Sequence, residues 1–166
     1  GFDFILTDTA GLRKKGKVDE DVEYYSVMRS VRAIENSDVC ILMIEASEGM
    51  MAQDMNILHL IQKNKKGLVI MVNKWDLVPE KSANTMKQFK AKIMDKLAPF
   101  NDIPLIFTSV TEKQRIHDVL EKAVKVFENR RKKITTNQLN KKLLPIVQAS
   151  PPPSVKGKQI SIKFIT

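Results

Sequence analysis

Residues 68–76 read LVIMVNKWD, in which five apolar residues lead directly into a polar stretch containing Asn73, Lys74 and Asp76. A short, wholly apolar run is typical of a strand that is buried on both faces in a parallel sheet. The polar residues would then lie in the loop at the carboxyl end of that strand, where open α/β sheets bind their ligands. The stretch therefore predicts a buried strand that ends at a binding edge.

The polar residues of this loop suit one kind of ligand. A turn can aim Asn73 and Asp76 at one flat molecule while the aliphatic stem of Lys74 lies across its face. An ionised carboxylate only accepts hydrogen bonds, and guanine offers two parallel donors on one edge, a ring N–H and the 2-amino group. Adenine presents an acceptor and a C–H there. A guanine site is one interpretation, and a surface turn in which Asp76 caps the next helix is the other.

Three further apolar runs resemble this strand in length, and each is predicted to be buried in the same sheet. They are FIL (4–6), VCILMI (39–44) and PLIFT (104–108). Amphipathic segments with apolar residues at helical spacing lie between the runs. This alternation predicts an α/β fold with an open, doubly wound, mainly parallel sheet of the nucleotide-binding type.

Two helical patterns are regular enough to be placed on the sequence. The first follows Ser82, a residue able to cap a first turn, and has its apolar positions at Met86, Phe89, Ile93 and Leu97. The second starts at Ile116 and has its apolar positions at Val119, Leu120, Ala123 and Phe127. Both patterns predict helices that cover the sheet.

Polar loops also follow the first and the last predicted strands. Asp8, in the stretch DTAG, is a candidate for holding Mg²⁺ beside a nucleotide phosphate. In FTSV (107–110), Ser109 can brace the turn while the backbone N–H of Val110 donates to a carbonyl such as that of guanine. Because the carboxyl ends of parallel strands lie at one edge of a sheet, the three loops are expected to form one site.

One motif match is interpreted as misleading. GLRKKGK (11–17) has the G-x-x-x-x-G-K spacing of a phosphate-binding loop, but Val18 follows it and has no hydroxyl for Mg²⁺. Carboxylates at residues 19–21 would also occupy the helix start, where phosphates need the positive end of the dipole. The stretch is better explained as a mobile switch segment. The phosphate-binding loop is therefore expected before residue 1, which means that the chain begins within a domain.

Positive charge is concentrated at the end of the chain. Residues 1–128 contain 19 Lys and Arg against 19 Asp and Glu, whereas residues 129–166 contain 9 Lys and Arg and no acidic residue. This change predicts a domain boundary and a segment that faces a polyanion, with a solvated basic linker as the alternative. The candidate contacts lie in NRRKK and are Arg130, Arg131, Lys132 and Lys133.

Residues 134–166 have the pattern of a second, smaller module. The stretch TTNQLNKKLLPIVQ predicts a helix, and KQISIKFI predicts a half-buried strand with Ile160, Ile162 and Phe164 on one face. The apolar stripe of that helix consists of Leu139, Leu143 and Val147. One helix and one strand cannot close a core. The expected organisation is thus a first domain over residues 1–133 and the beginning of a second over 134–166.

Composition adds few restrictions. No apolar run reaches the roughly 18 residues of a membrane span and no leader resembles a signal peptide, which predicts a cytoplasmic protein without stable membrane insertion. Cys40 is the only cysteine and is expected to act as a small buried hydrophobe. His59 and His117 lie in helical patterns and are expected at the surface or in packing.

These motifs together resemble the translation-factor-like GTPases, and among them the bacterial double GTPases of the Der (EngA) family. The resemblance covers essentially the whole chain, including residues 8–40, 60–78, 134–145 and 151–166. It implies most of that family's second GTPase domain followed by the start of its KH-like domain. It also implies GTP binding, and GTP hydrolysis as a conformational switch in assembly of the large ribosomal subunit. The implied partners are this subunit or its precursor, with its rRNA and proteins.

The resemblance assigns roles to individual residues. Asp8 would contact Mg²⁺ through water, and Gly11 would donate its N–H to the γ-phosphate. Asn73, Lys74 and Asp76 would read guanine. Ser109 and Val110 would complete the base pocket, although the family more often has alanine in place of Val110.

The resemblance also implies how hydrolysis is achieved. Leu12 stands where small signalling GTPases have a catalytic glutamine, so no general base is assigned. Catalysis would come from positioning and metal ions, with a monovalent cation or the ribosome as a candidate for a further contribution. A different class of function is an RNA- or protein-binding module with a vestigial nucleotide site.

Overall fold

A computed structural model of the chain describes residues 2–9, 20–79, 81–82 and 84–166, and for residues 20–27 it describes only the helical backbone. The chain divides into two compact units between Arg130 and Arg131. The elements in chain order are α1 (Glu20–Asn36), β1 (Val39–Glu45), α2 (Ala52–Lys63), β2 (Gly67–Asn73), a short 3₁₀ helix (Trp75–Leu77), α3 (Thr85–Leu97), β3 (Leu105–Phe107), α4 (Ile116–Arg131) and α5 (Thr136–Ala149).

The described part of the first unit contains a three-stranded parallel sheet in the order β1-β2-β3. The predicted strands at 39–44, 68–72 and 104–108 are found, but of these only the run 68–72 is buried throughout, and Met43 of β1 is 52% exposed. Strand β2 is central, and its residues Val69, Ile70 and Val72 are fully buried. The register places Glu45 of β1 opposite Asn73 of β2, so the two strands end side by side.

Helices cover both faces of the sheet, because consecutive residues of β2 point to opposite sides. On one face, Ile70 and Val72 pack in a core that includes Ile34 of α1, Leu58 of α2 and Ile93 of α3. On the other face, a smaller core is formed with α4 by Val69, Met71, Ile106, Val119 and Ala123. The predicted doubly wound α/β architecture is therefore confirmed.

The predicted strand at residues 4–6 is wrong. Residues 2–9 form neither helix nor strand, and Ile5 and Leu6 are 98% and 85% exposed. An apolar run becomes a strand only where a neighbouring strand receives its backbone hydrogen bonds. In the described sheet β1 pairs with β2 alone, and residues 2–9 do not pair with its other edge.

The start of α3 also differs from the prediction. The helix begins at Thr85 after Asn84, and Ser82 does not cap it. The hydroxyl of Thr85 instead accepts a hydrogen bond from the Ser82 N–H at 2.8 Å, which closes a turn before the helix. The apolar stripe is as predicted, with Ile93 and Leu97 buried and with Met86 and Phe89 packed against the same core.

In the second unit, α5 begins with a capping box. The Thr135 hydroxyl accepts from the Gln138 N–H, and the Gln138 side chain accepts from the Thr135 N–H. The helix buries none of its residues completely, and Leu139 and Val147 of the predicted stripe are half-buried.

The predicted strand at 158–165 is wrong. Its backbone has no ladder partner within residues 134–166, and Val155 and Lys158 form only an isolated bridge. The side chain of Asn140 pairs with Ile165 instead. Its amide oxygen accepts from the Ile165 N–H at 2.9 Å, and its amide nitrogen donates to the Ile165 carbonyl at 2.7 Å. A helix side chain thus satisfies backbone groups that a neighbouring strand would otherwise bind.

Candidate nucleotide site at the carboxyl edge of the sheet

The loop after β2 is fixed by an aromatic anchor. Trp75 is buried, and its ring centre lies 5.6 Å from that of Phe89 and 4.4 Å from that of Phe107. Lys74, immediately before it, has the left-handed φ of 59°. With Trp75 held inward, Lys74 is exposed and Asp76 is half-buried. Lys74 and Asp76, two of the three side chains that the sequence assigns to base recognition, are thus accessible on either side of the buried Trp75.

The loops after β2 and β3 are joined by hydrogen bonds. The Trp75 N–H donates to the Thr108 carbonyl at 3.0 Å, and the Val110 N–H donates to the side-chain oxygen of Asn73 at 3.2 Å. Because a backbone N–H needs an acceptor, the second bond orients the Asn73 amide with its oxygen toward the β3 loop. Its nitrogen lies 3.9 Å from the sulfur of Met43, a weak acceptor, so this donor can turn to a ligand at little cost.

The loop after β3 is closed on itself. The Ser109 hydroxyl accepts from the Glu112 N–H at 3.0 Å, and the Gln114 N–H donates to the Ser109 carbonyl at 2.8 Å. Lys113 and Arg115 both have left-handed φ values, 52° and 56°. Such backbone angles are uncommon outside glycine and cost about 1–2 kcal/mol each. The Val110 N–H, which the sequence interpretation assigns to a guanine carbonyl, is engaged by Asn73.

The end of β1 contributes residues that the sequence reasoning missed. Glu45 lies opposite Asn73, and its carboxylate forms an ion pair of 2.8 Å with the Nζ of Lys74. The other carboxylate oxygen accepts from the Ser47 hydroxyl at 2.7 Å. The signal was present in the sequence, because polar residues follow VCILMI just as they follow LVIMV. The ends of β1, β2 and β3 therefore share this edge.

The DTAG motif is not brought to this edge by the described residues. Asp8 is exposed within the segment 2–9, which belongs to no strand, while Gly11 and Leu12 lie outside the described residues together with the stretch 11–17. Within the described ranges, no three His, Cys, Asp or Glu side chains come together as a metal site, and no buried side-chain polar atom is left without a partner. A single exposed carboxylate fits only a metal held mainly by water and phosphate oxygens, as Mg²⁺ usually is.

The basic run at the end of α4 is not uniform. Arg130 donates from its two terminal guanidinium nitrogens to the carbonyls of Asp38 and Lys65, which precede β1 and β2. Gly67 leaves room for this packing, since a Cβ there would lie 2.7 Å from Val126 and 3.2 Å from the Cδ of Arg130. Arg130 is therefore a structural residue of the first unit. Lys132 and Lys133 are exposed and follow the boundary between the units.

The remaining candidate residues have ordinary roles. His59 and His117 are exposed on α2 and α4. Cys40 is half-buried on β1, and its sulfur lies 3.2 Å from the Ser37 hydroxyl. Burial raises the pKa of its thiol, and the Ser37 hydrogen bond and the charges of Lys66 and Arg130 offset this in part. No helix in the described parts of the chain has both the length and the apolar content needed to cross a bilayer.

Comparison with known proteins decides the family. Residues 21–129 match the family model of the elongation factor Tu GTP binding domain. The chain belongs to this GTP binding domain family. The matched residues include all three strands and the loops after β2 and β3, so the family assignment covers the edge described above.

Curated relatives are similar over the whole chain. It is 61% identical over 166 residues to GTPase Der of Bacteroides thetaiotaomicron and 54% identical over 165 residues to GTPase Der of Porphyromonas gingivalis. These alignments cover 100% and 99% of the chain and 38% of each relative. The chain thus spans little more than a third of the length of these relatives, and the resemblance to the Der family is confirmed within that span.

Solved structures of GTP binding domains share the fold. A crystal structure of Aquifex aeolicus Era bound to GDP and AlF₄⁻ superposes with a TM-score of 0.61 and 21% identity, covering 72% of the chain and 38% of Era. A probable GTP-binding protein, engB, superposes with a TM-score of 0.54 and 16% identity, covering 68% of the chain and 70% of that protein. At these identities the likeness supports the fold alone.

Proposed function

We propose that the chain is the guanine-recognition part of a Der-type GTPase, whose full-length form binds GTP and hydrolyses it to GDP and phosphate as a conformational switch. The observation that carries the proposal is the hydrogen bond between the Val110 N–H and the Asn73 side chain. It joins two polar loops at the carboxyl edge of a parallel sheet in a member of a GTP binding domain family.

The proposed base pocket divides the recognition among three side chains. The Asp76 carboxylate accepts from the ring N–H and the 2-amino group of guanine, the Asn73 amide nitrogen donates to an acceptor on the base, and the stem of Lys74 covers its face. Ser109 holds the β3 loop in place. For the Val110 N–H to reach a guanine carbonyl, the base must share or replace the bond to Asn73, which is 3.2 Å long.

The proposed cofactor is Mg²⁺, contacted by Asp8 through water. A magnesium ion bound with a nucleotide neutralises phosphate charge and orients the phosphates. Gly11 would donate its N–H to the γ-phosphate, and the phosphate-binding loop would precede residue 1. A monovalent cation remains a further proposal from the family resemblance.

The proposed function is tested by a substitution that should change which base the protein prefers. In the full-length protein, Asp76→Asn replaces an acceptor by a donor, which faces the 2-amino group of guanine but suits the 2-carbonyl of xanthine. GTP affinity should fall about 10²- to 10⁴-fold, and xanthosine triphosphate should bind more tightly than GTP. Calorimetry with both nucleotides gives the two affinities. GTP binding that is unaffected by Asp76→Asn would remove Asp76 from the pocket.

The proposed partner is the large ribosomal subunit or its precursor, which would place the protein in the cytoplasm. A solved structure of Era holds MgGDPNP and a segment of 16S ribosomal RNA, so a protein with this fold has bound both kinds of ligand. In this chain, residues 129–166 contain 9 basic residues and no acidic one. We propose that residues 1–133 belong to the GTPase domain and that 134–166 begin a KH-like domain carrying this charge.

The same charge favours a second candidate, an RNA- or protein-binding module that needs no nucleotide. KH domains that clamp RNA use a GXXG loop, and residues 134–166 contain only Gly157. The exposed lysines are the better candidates for phosphate contacts, and they include Lys132, Lys133, Lys141 and Lys142. Arg130 should be left intact in any test, because it binds the carbonyls of Asp38 and Lys65.

Binding of ribosomal particles across a salt series separates these candidates. Replacing the four lysines by alanine should weaken binding and flatten its salt dependence, since each phosphate contact contributes about 0.7–0.9 to the slope. Superimposable lines for parent and variant would leave the basic segment as a solvated linker. Particle binding that requires GTP supports the switch, whereas binding indifferent to nucleotide supports the second candidate.

A further inference from the structure

Glu45 stands out among the residues of this edge because it contacts a proposed ligand-binding residue. One oxygen of its carboxylate lies 2.8 Å from the Nζ of Lys74, and the other accepts a 2.7 Å hydrogen bond from the Ser47 hydroxyl. Its position is fixed by the sheet, since Glu45 is the last residue of β1 and lies opposite Asn73. The next residue, Ala46, donates its N–H to the Asn73 carbonyl at 2.9 Å.

The two partners of the ion pair differ in exposure, and this difference indicates which of them is the fixed one. The side chain of Lys74 is 50% exposed, whereas that of Glu45 is 27% exposed. Glu45 is held by the strand and by Ser47, while Lys74 is a long side chain on a loop residue with a left-handed backbone. A free lysine side chain carries about 2 kcal/mol of rotamer entropy. The carboxylate is thus the fixed partner, and the lysine is the one that it orients.

We infer that Glu45 is a positioning residue for guanine recognition, which holds the head of Lys74 so that its stem is preset to cover the base. The inference rests on the function proposed above. A side chain ordered before the ligand arrives loses less freedom on binding, so a preset stem raises affinity without touching the nucleotide. Ser47 supports the same arrangement by holding the second carboxylate oxygen.

A competing role for Glu45 would change nucleotide affinity in the opposite direction. If the ion pair had to break before a nucleotide could bind, Glu45 would compete with the ligand for Lys74. Removing its charge would then tighten binding. Positioning predicts weaker binding after the same substitution, so one affinity measurement distinguishes the two mechanisms.

The test uses Glu45→Gln in the full-length protein, with GDP affinity measured by calorimetry. The glutamine keeps the shape and loses the charge, and affinity should fall about three- to fivefold, the range of a partly exposed ion pair. Ser47→Ala should lower affinity in the same direction by about twofold. Glu121→Gln, the same chemical change on the exposed face of α4, is the matched control and should leave affinity unchanged.

A double-mutant cycle shows whether Glu45 acts through Lys74. Lys74→Met keeps an unbranched apolar stem and removes the charge, so Glu45→Gln should have no further effect in that background. The ratio of parent to Glu45→Gln affinity should also approach one near 1 M salt, where the ion pair is screened. A purely structural role for Glu45 would produce neither result.

GDP binding that is unchanged or tighter in Glu45→Gln overturns the inference and leaves the proposed function intact. An equal loss of affinity in the Lys74→Met background overturns it as well. If the full-length protein with no substitution binds no guanine nucleotide, both the proposed function and the inference fail.

Discussion

Residues 2–9 and residues 67–76 both lead from apolar residues into a loop that bears an aspartate. In the second region, Val69, Ile70 and Val72 are fully buried between β1 and β3. In the first, Ile5 is 98% exposed and the backbone belongs to no strand. The two regions differ in their neighbours far more than in their sequence pattern. An apolar run enters the core when other strands pair with it on both sides. Those partner strands lie elsewhere in the chain.

The largest expected effect tests this difference directly. Ile70→Ala in the 166-residue chain should lower the free energy of unfolding by about 2–5 kcal/mol, because it leaves a cavity in a fully buried strand. Ile5→Ala is the same chemical change in the unpaired segment and should stay within about 0.5 kcal/mol of the parent. Urea denaturation measures both. Equal losses would mean that residues 4–6 are buried after all.

A second test addresses how the paired strands are held at their amino ends. Arg130→Ala removes the donors to the Asp38 and Lys65 carbonyls and should cost about 1–2 kcal/mol of stability. Arg130→Lys should give an intermediate loss, since one ammonium cannot reproduce the planar fork. Lys132→Ala is the matched control in the same basic run and should have little effect. If Arg130→Ala and Lys132→Ala behave alike in urea, the two guanidinium contacts do not stabilise the sheet.

A third test addresses the loop after β3, where Lys113 and Arg115 have left-handed backbones. Glycine adopts this conformation without a Cβ clash, so Lys113→Gly and Arg115→Gly should each stabilise the chain by about 0.5–1 kcal/mol. Gln114→Gly, between them and without a positive φ, should destabilise it by a similar amount. Thermal unfolding midpoints show whether each of the three variants is more or less stable than the parent. A loss of stability in both Lys113→Gly and Arg115→Gly would show that the left-handed backbone at these positions is not strained.

The smallest expected effect concerns Cys40 on β1. Burial raises the pKa of its thiol in the folded chain, so the unfolded chain releases this proton at a lower pH. Stability should therefore fall as pH rises from the ordinary thiol pKa of about 8.5 through the raised value. Urea midpoints of the parent should decrease more than those of Cys40→Ala between pH 8 and pH 10. Parallel decreases would contradict the shift.

Hydrophobic patterning predicted three strands and the doubly wound architecture, because β1, β2 and β3 find their partners within the described sheet. It was wrong for residues 4–6 and 158–165. Those errors have one physical cause: backbone hydrogen bonding is a property of pairs, and a single sequence does not specify the partner. At 158–165 the Asn140 side chain pairs with Ile165 by itself, which no periodicity could have indicated.

The candidate site was predictable to a similar extent. The loops after β2 and β3 were found from polar residues that follow apolar runs, and the structure joins them through Asn73 and Val110. Glu45 and Ser47 were missed because the residues that follow VCILMI match no known nucleotide-binding motif. The left-handed backbone at Lys74 also had no sequence signal, since only glycine and asparagine commonly suggest that conformation.

The aromatic anchor of the β2 loop provides an intrinsic fluorescent probe close to this site. Trp75 is the only tryptophan among the 166 residues, and in the chain it lies between Lys74 and Asp76, two of the side chains proposed to hold the base. Its indole is buried and packs against Phe89 and Phe107, so its fluorescence is expected to be sensitive to changes in the β2 loop. A nucleotide that enters between the strand ends would change the light emitted by a residue of the protein itself, with no dye attached.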